Sequence, residues 1–239
     1  MKRLIVIFCM ILACGILSQA KIYVLCVGVA DYPGEKRDLK LCANDARTMR
    51  DLYEKNGKAE TMLMTDERAM VDNIISGLKA MSRKATKDDV LVFFFSGHGS
   101  AGTFSCYDRH LWYEEITNVM EKSKAQCKMI MADACYSGNA RKEKTGKGGK
   151  KKDGSVMFFL SSRSEETSAE YKDYWKNGIF TAFLERGLRG AADADRNKVI
   201  TARELYLYVN RSVSKLRNEK QHPVMWGKFD NDMPIMSWK

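Results

Sequence analysis

The sequence predicts an α/β protein, a three-layer sandwich in which a mostly parallel central sheet is flanked by helices. Three observations point there. Two apolar blocks, Val90 to Phe95 and Met129 to Met131, run without a break into glycine-bearing turns, as strands buried on both faces do. Segments of helical character alternate with such blocks along the chain, the pattern that crossovers between parallel strands require. The 239 residues, 45% of them apolar and three of them proline, suffice for one large domain with a substantial core.

Taken in order, the apolar run Ile22 to Val29 reads as a first strand, with Cys26 in the core. Ala43 to Lys55 reads as a helix, with Asn44 and Asp45 where a cap would sit. Glu60 to Met64 reads as a second strand, and Val71 to Lys84 as a helix that repeats apolar residues at three- and four-residue steps. Val90 to Phe95 is the third strand, Leu111 to Lys122 a helix, and Lys128 to Asp133 the fourth strand. Val156 to Ser161 reads as a fifth, followed by helices over Phe180 to Arg189 and Ala202 to Leu216. Met62, Met64 and Phe93 to Phe95 read as core.

The third strand leads into Ser96-Gly97-His98-Gly99, and the fourth into Asp133-Ala134-Cys135-Tyr136-Ser137-Gly138. Parallel strands of one sheet end on one edge, where open α/β sheets place their chemistry, so His98 and Cys135 can meet although 37 positions separate them. A thiol is a poor nucleophile until it is deprotonated, and an imidazole can promote that ionisation and later protonate a leaving amine. Gly99 and Gly138 leave room for a substrate backbone, and the N–H groups of Gly99 and Cys135 are candidates for an oxyanion hole. No third member of a triad is evident. The competing reading makes Cys135 a buried hydrophobe and His98 a structural group, but strand context and flanking glycines together favour the dyad.

These motifs resemble the catalytic pair of the caspase-like cysteine peptidases. Leu41-Cys42-Ala43-Asn44-Asp45-Ala46 is similar to the metacaspase form of the stretch after the first strand. Gly178-Ile179-Phe180-Thr181 and Gln221-His222-Pro223-Val224 resemble segments of the small-subunit half. The resemblance covers roughly residues 22 to 236 in family order, and the ordered set is more specific than either short motif alone. It implies a caspase-like fold, with residues 21–140 as a large-subunit-like half, 141–154 as a basic linker and 155–239 as a small-subunit-like half. It also implies that Asp45 and Asp133 line the primary specificity pocket, with Cys42 and Ser96 nearby.

Placed charge agrees with that implication. Asp133 lies two residues before Cys135, and alternate strand positions share a face. Two carboxylates there favour Arg or Lys at the cleaved position and repel Asp. The plainer reading has Asp45 cap a helix and Asp133 end a strand. A rival specificity, cleavage after Asp, would use Arg37 and Arg163, whose neighbours Asp38 and Glu165 could neutralise them.

Lys2-Arg3, the apolar run Leu4 to Leu17 and Ser18-Gln19-Ala20 have the layout of a secretory signal peptide over residues 1–20. The run is too short for a comfortable membrane span, so the expectation is a periplasmic or secreted chain over 21–239 without a stable membrane span. A lipid-anchored Cys14 is the lesser alternative, because Leu12 stands where a small residue is usual. Signal removal leaves Cys26, Cys42, Cys106, Cys127 and Cys135, an odd number, which agrees with a nucleophilic Cys135. No Cys-x-x-Cys pair or His cluster offers zinc-ligand spacing.

The formal net charge of +10 falls to +8 without Lys2 and Arg3. Arg141 to Asp153 holds seven Lys or Arg, three glycines and no apolar residue, so much of the excess is local to one solvated loop. In the resembled family this position is where activating cleavage often falls, and a solvated linker is the alternative. No aromatic residue interleaves with the lysines, which argues against a nucleic-acid partner.

Asp193, Asp195, Asn197 and Glu204 follow the spacing of an EF-hand calcium loop, but Lys198 stands at the glycine position, which makes calcium a weak candidate cofactor. The alternative is a helix connection capped by Thr201. None of the chemistry above requires a cofactor. The expectation is therefore an exported cysteine endopeptidase acting on peptide or protein substrates with basic residues. A transpeptidase or a peptide-binding pseudo-protease are the alternatives.

Overall fold

The computed structural model describes residues 20–34, 37–135, 156–162, 176–227 and 229–238. The signal-like segment, Gly138, the basic loop, Arg163 and Glu165 lie outside them. The first half of the chain forms β1 (Ile22–Gly28), α1 (Cys42–Asn56), β2 (Ala59–Thr65), α2 (Val71–Lys84) and β3 (Val90–Ser96). Three short strands follow, β4 (Gly99–Ser100), β5 (Thr103–Ser105) and β6 (His110–Trp112), then α3 (Tyr113–Glu121) and β7 (Cys127–Asp133). The remainder is β8 (Met157–Leu160), α4 (Ile179–Arg186), β9 (Val199–Thr201), α5 (Ala202–Leu216), β10 (Val224–Trp226) and β11 (Pro234–Ser237).

The main sheet has the order β10-β8-β7-β3-β1-β2. Every pairing from β8 to β2 is parallel and only the edge strand β10 runs antiparallel. Strand alternation sorts the core into two layers. Leu25, Val27, Phe93, Phe95, Ile130 and Ala132 pack with residues of α2 and α3. Val24, Cys26, Val92, Phe94, Met129 and Met131 pack with residues of α1, α4 and α5. Both faces are therefore covered, which is why these strands read as continuous apolar runs instead of alternating ones.

Two expectations are revised. The segment predicted as a helix from Leu111 begins as strand β6, and α3 starts at Tyr113. Strands β4 to β6 form a separate antiparallel sheet with Gly99 opposite Phe104 and Phe104 opposite Leu111, burying the Phe104 ring against Phe95 at 4.4 Å between centroids. The helix predicted over Phe180 to Arg189 ends at Arg186 and passes into a wider π-type turn, Gly187–Ala191, where Gly190 takes φ of 121°.

Candidate active site

The register of the two central strands builds the site. Ser96 pairs with Asp133 at the ends of β3 and β7, and Gly97 N–H donates to the Asp133 carbonyl at 3.2 Å. His98 and Cys135 each stand two residues beyond that rung, at the carboxyl edge of the sheet. Gly99 closes the gap: a Cβ there would lie 2.7 Å from the Cys135 carbonyl oxygen and 3.1 Å from Ala134 Cβ. The glycine thus makes room for the backbone of Cys135 itself, where the sequence suggested room for substrate.

His98 is held at three points. Its N–H donates to the Tyr32 hydroxyl at 2.8 Å, and its carbonyl accepts from Ser105 N–H at 2.9 Å. Tyr32 Oη in turn donates to the Ser105 carbonyl at 3.0 Å, and the Tyr32 ring packs on the imidazole at 4.9 Å. The third point is the imidazole Nε2, 2.8 Å from the Arg37 carbonyl oxygen. A carbonyl can only accept, so Nε2 carries hydrogen and Nδ1 keeps the lone pair that a proton exchange with Cys135 needs. A main-chain carbonyl therefore stands where a triad carboxylate would, and no residue type announces it. The Arg37 guanidinium itself lies over the Tyr32 ring at 5.1 Å.

Asp45 does not cap α1. The cap position is Leu41, without a side-chain bond, and Asn44 Nδ2 reaches the Lys176 carbonyl at 2.7 Å. Asp45 points to the sheet edge and is 1% exposed. It accepts from Ser96 Oγ at 2.7 Å, from Asn177 Nδ2 at 2.9 Å and from Gly178 N–H at 2.9 Å. Asp133, 6% exposed, accepts from Thr181 N–H at 3.1 Å and Thr181 Oγ1 at 2.9 Å. Gly178 lies between the two acids: a Cβ there would meet Asp133 Oδ2 at 2.5 Å and Asp45 Oδ2 at 3.1 Å. Burial, and after it the Asp133 carboxylate, hold the Asp45 carboxyl well above the usual range against the bonds from Ser96, Asn177 and Gly178. Cys42, in the first turn of α1, is buried, and Ser96 is buried beside the acids.

The acidic loop after α4 lies away from this edge. It brings carboxylate oxygens of Asp193, Asp195 and Glu204 within 4.8 Å of one another. The loop's own backbone engages them: Asn197 and Lys198 N–H donate to Asp193, and Ala194 N–H donates to Glu204. Lys198 takes φ of 66° at the position where the calcium loop has glycine, and Asn197 Oδ1 accepts from Val199 N–H. Glu204 also forms a reciprocal cap with Thr201 at the start of α5. Partial burial of Glu204 works against its ionisation, but these bonds outweigh it and hold the carboxyl below the usual range.

A parallel sheet that presents an imidazole and a thiol from adjacent strand ends defines a cysteine peptidase-like α/β protein. The caspase-domain family matches residues 21–233, and the chain belongs to that family. Metacaspase-4 of Arabidopsis thaliana is 28% identical over 209 residues, which cover 74% of this chain and 49% of the plant protein. The chain therefore spans about half the length of that curated relative. Among solved structures, protein GSU0716 from Geobacter sulfurreducens superimposes with a TM-score of 0.68 over 92% of this chain and all of its own, at 16% identity. That likeness is one of fold. Among the described residues no helix is long and apolar enough to cross a membrane.

Proposed function

We propose that the chain is an exported cysteine endopeptidase that hydrolyses peptide bonds after Arg or Lys. One observation carries the reading: His98 and Cys135 each follow the Ser96–Asp133 rung by two residues, and the same rung reaches the acid pair, Ser96 by donating to Asp45 and Asp133 as its second member. In the reaction the Cys135 thiol gives its proton to His98 Nδ1 and its sulfur bonds to the scissile carbonyl carbon. The carbon–nitrogen bond breaks as His98 returns the proton to the leaving amine. Water, deprotonated by His98, then attacks the thioester, releasing the carboxylic acid and restoring the thiol. The N–H groups of Gly99 and Cys135 hold the oxyanion in both steps.

A basic side chain entering beside Gly178 exchanges the neutral donors on Asp45 and Asp133 for a cation, which removes the repulsion between two buried acids. An aspartate side chain would add a third negative charge. The basic segment Arg141 to Asp153 then matches the enzyme's own specificity, which supports activation by cleavage there. The signal-like Lys2 to Ala20 supports export. The thiol mechanism needs no cofactor.

Peptidyl chloromethyl ketones that differ only in the residue next to the warhead test this reading. The Arg and Lys reagents are expected to add to Cys135, located by peptide mass, and the Asp reagent to leave it unmodified. Faster modification by the Asp reagent would overturn the assigned pocket.

A further inference from the structure

We propose that Ser161 is a positioning residue for the oxyanion hole, its hydroxyl setting the orientation of the peptide that joins Ala134 to Cys135. The inference rests on the peptidase reading above and gives its geometry a residue from the end of β8. β7 ends at Asp133 and β8 at Leu160, and the ladder between them is continued by Ser161 N–H donating to the Ala132 carbonyl at 2.9 Å. Beyond that bond the side chain takes over. Ala134 N–H donates to Ser161 Oγ at 3.1 Å, and Ser161 Oγ donates back to the Ala134 carbonyl at 3.0 Å. A hydroxyl has one proton and two lone pairs, so the two bonds coexist.

The Ala134 carbonyl and the Cys135 amide belong to one planar trans peptide and point in opposite directions. Fixing the carbonyl on Ser161 therefore fixes where the Cys135 N–H points, away from β8. Gly99 packs on either side of that peptide: a Cβ there would meet the Ala134 Cβ before it at 3.1 Å and the Cys135 carbonyl after it at 2.7 Å. Ser161 has no freedom to swing. It is fully buried, and its own carbonyl accepts from Gln221 Nε2 at 3.0 Å, with Gln221 fully buried as well. A backbone ladder alone could not grip both polar groups of Ala134 where the strand turns toward Cys135.

The test compares the full chain with Ser161→Ala, using two reactions of the same thiol. Peptide hydrolysis passes through an oxyanion, whereas alkylation by iodoacetamide displaces iodide at a saturated carbon and forms none. Ser161→Ala is expected to lower kcat by roughly tenfold to a hundredfold, less than the roughly hundredfold to thousandfold cost of losing an oxyanion donor outright, with KM and the alkylation rate of Cys135 each within about twofold of the parent. Ser161→Cys, close in size with a weaker donor, is expected to fall between the two and gives the same contrast where the alanine variant folds poorly. An unchanged kcat would overturn the inference, and so would equal losses in hydrolysis and alkylation, which mark a general disturbance of the fold. A parent chain that neither hydrolyses peptides nor is alkylated at Cys135 would instead overturn the peptidase reading.

Discussion

Ser96 and Asp133 face one another across the parallel β3–β7 ladder, and that single rung aligns both halves of the candidate site. Two residues further on stand His98 and Cys135. On the same face the Ser96 hydroxyl reaches Asp45 from α1, and Asp133 is held by Thr181 from α4. The candidate nucleophile, base and acid pair are thus tied to buried strands at the centre of the sheet.

The tight approach at Gly99 makes the first prediction. In Gly99→Ala the new methyl meets the Cys135 carbonyl at 2.7 Å, a backbone atom that cannot step aside alone. Overpacking of this kind costs about 1–3 kcal/mol. Thermal unfolding should show the loss in Tm, and kcat/KM should fall at least tenfold as Cys135 is pushed from its place.

Tyr32→Phe removes one oxygen that serves both His98 N–H and the Ser105 carbonyl. The aromatic contact to the imidazole stays. Leaving those groups without partners costs about 1–3 kcal/mol. Activity should drop several-fold through kcat, and hydrogen exchange at the His98 amide should quicken while β1 amides remain protected.

The thiols should separate sharply in labelling. Burial pushes the Cys127 thiol up to about 12, and raises those of Cys26 and Cys106 as well. All three are inert as thiolates near neutrality. Mass mapping after brief iodoacetamide treatment of the native chain at pH 7 should find modification at Cys135 and none at these three until denaturant is added.

Asp45→Asn should stabilise the fold while harming activity. The folded-state pKa of Asp45 lies above its unfolded value, so the folded state binds the proton more tightly. Stability is therefore lost as pH rises from the ordinary carboxylate range, about 3.9, toward the raised value, and the deficit persists above it. The variant removes that deficit. At pH 7 its Tm should lie above the parent's, and the gain should vanish below about pH 4, the ordinary carboxylate range. Peptides with Arg at the cleaved position should lose about tenfold or more in kcat/KM.

Much of the fold was legible because buried parallel strands and amphipathic helices leave strong patterns. Val71–Lys84 and Ala202–Leu216 begin and end where apolar spacing places them. The strands β4 to β6 were not legible, since two or three residues each are too few for a period and Leu111 reads equally well as the start of α3. The same limit hid β9 and β11, which pair with one another as a two-stranded sheet. Within the site, the placement of His98 and Cys135 beyond the ends of adjacent strands follows from strand order. The Arg37 carbonyl does not, because every residue carries one. Tyr32 reads as an ordinary loop aromatic and Ser161 as the polar end of a strand, and only tertiary placement gives either a role. For Asp45 the sequence offered a helix cap as the alternative to the acid pair, and the side chain turns inward to Ser96.

Hydrolysis of a peptide series with Arg, Lys, Asp or Asn before the scissile bond, by the parent chain beside Cys135→Ala, tests the central claim most directly. Cleavage after Arg and Lys that disappears in Cys135→Ala is the predicted result. Cleavage that survives the substitution, or that follows only Asp or Asn, would contradict it.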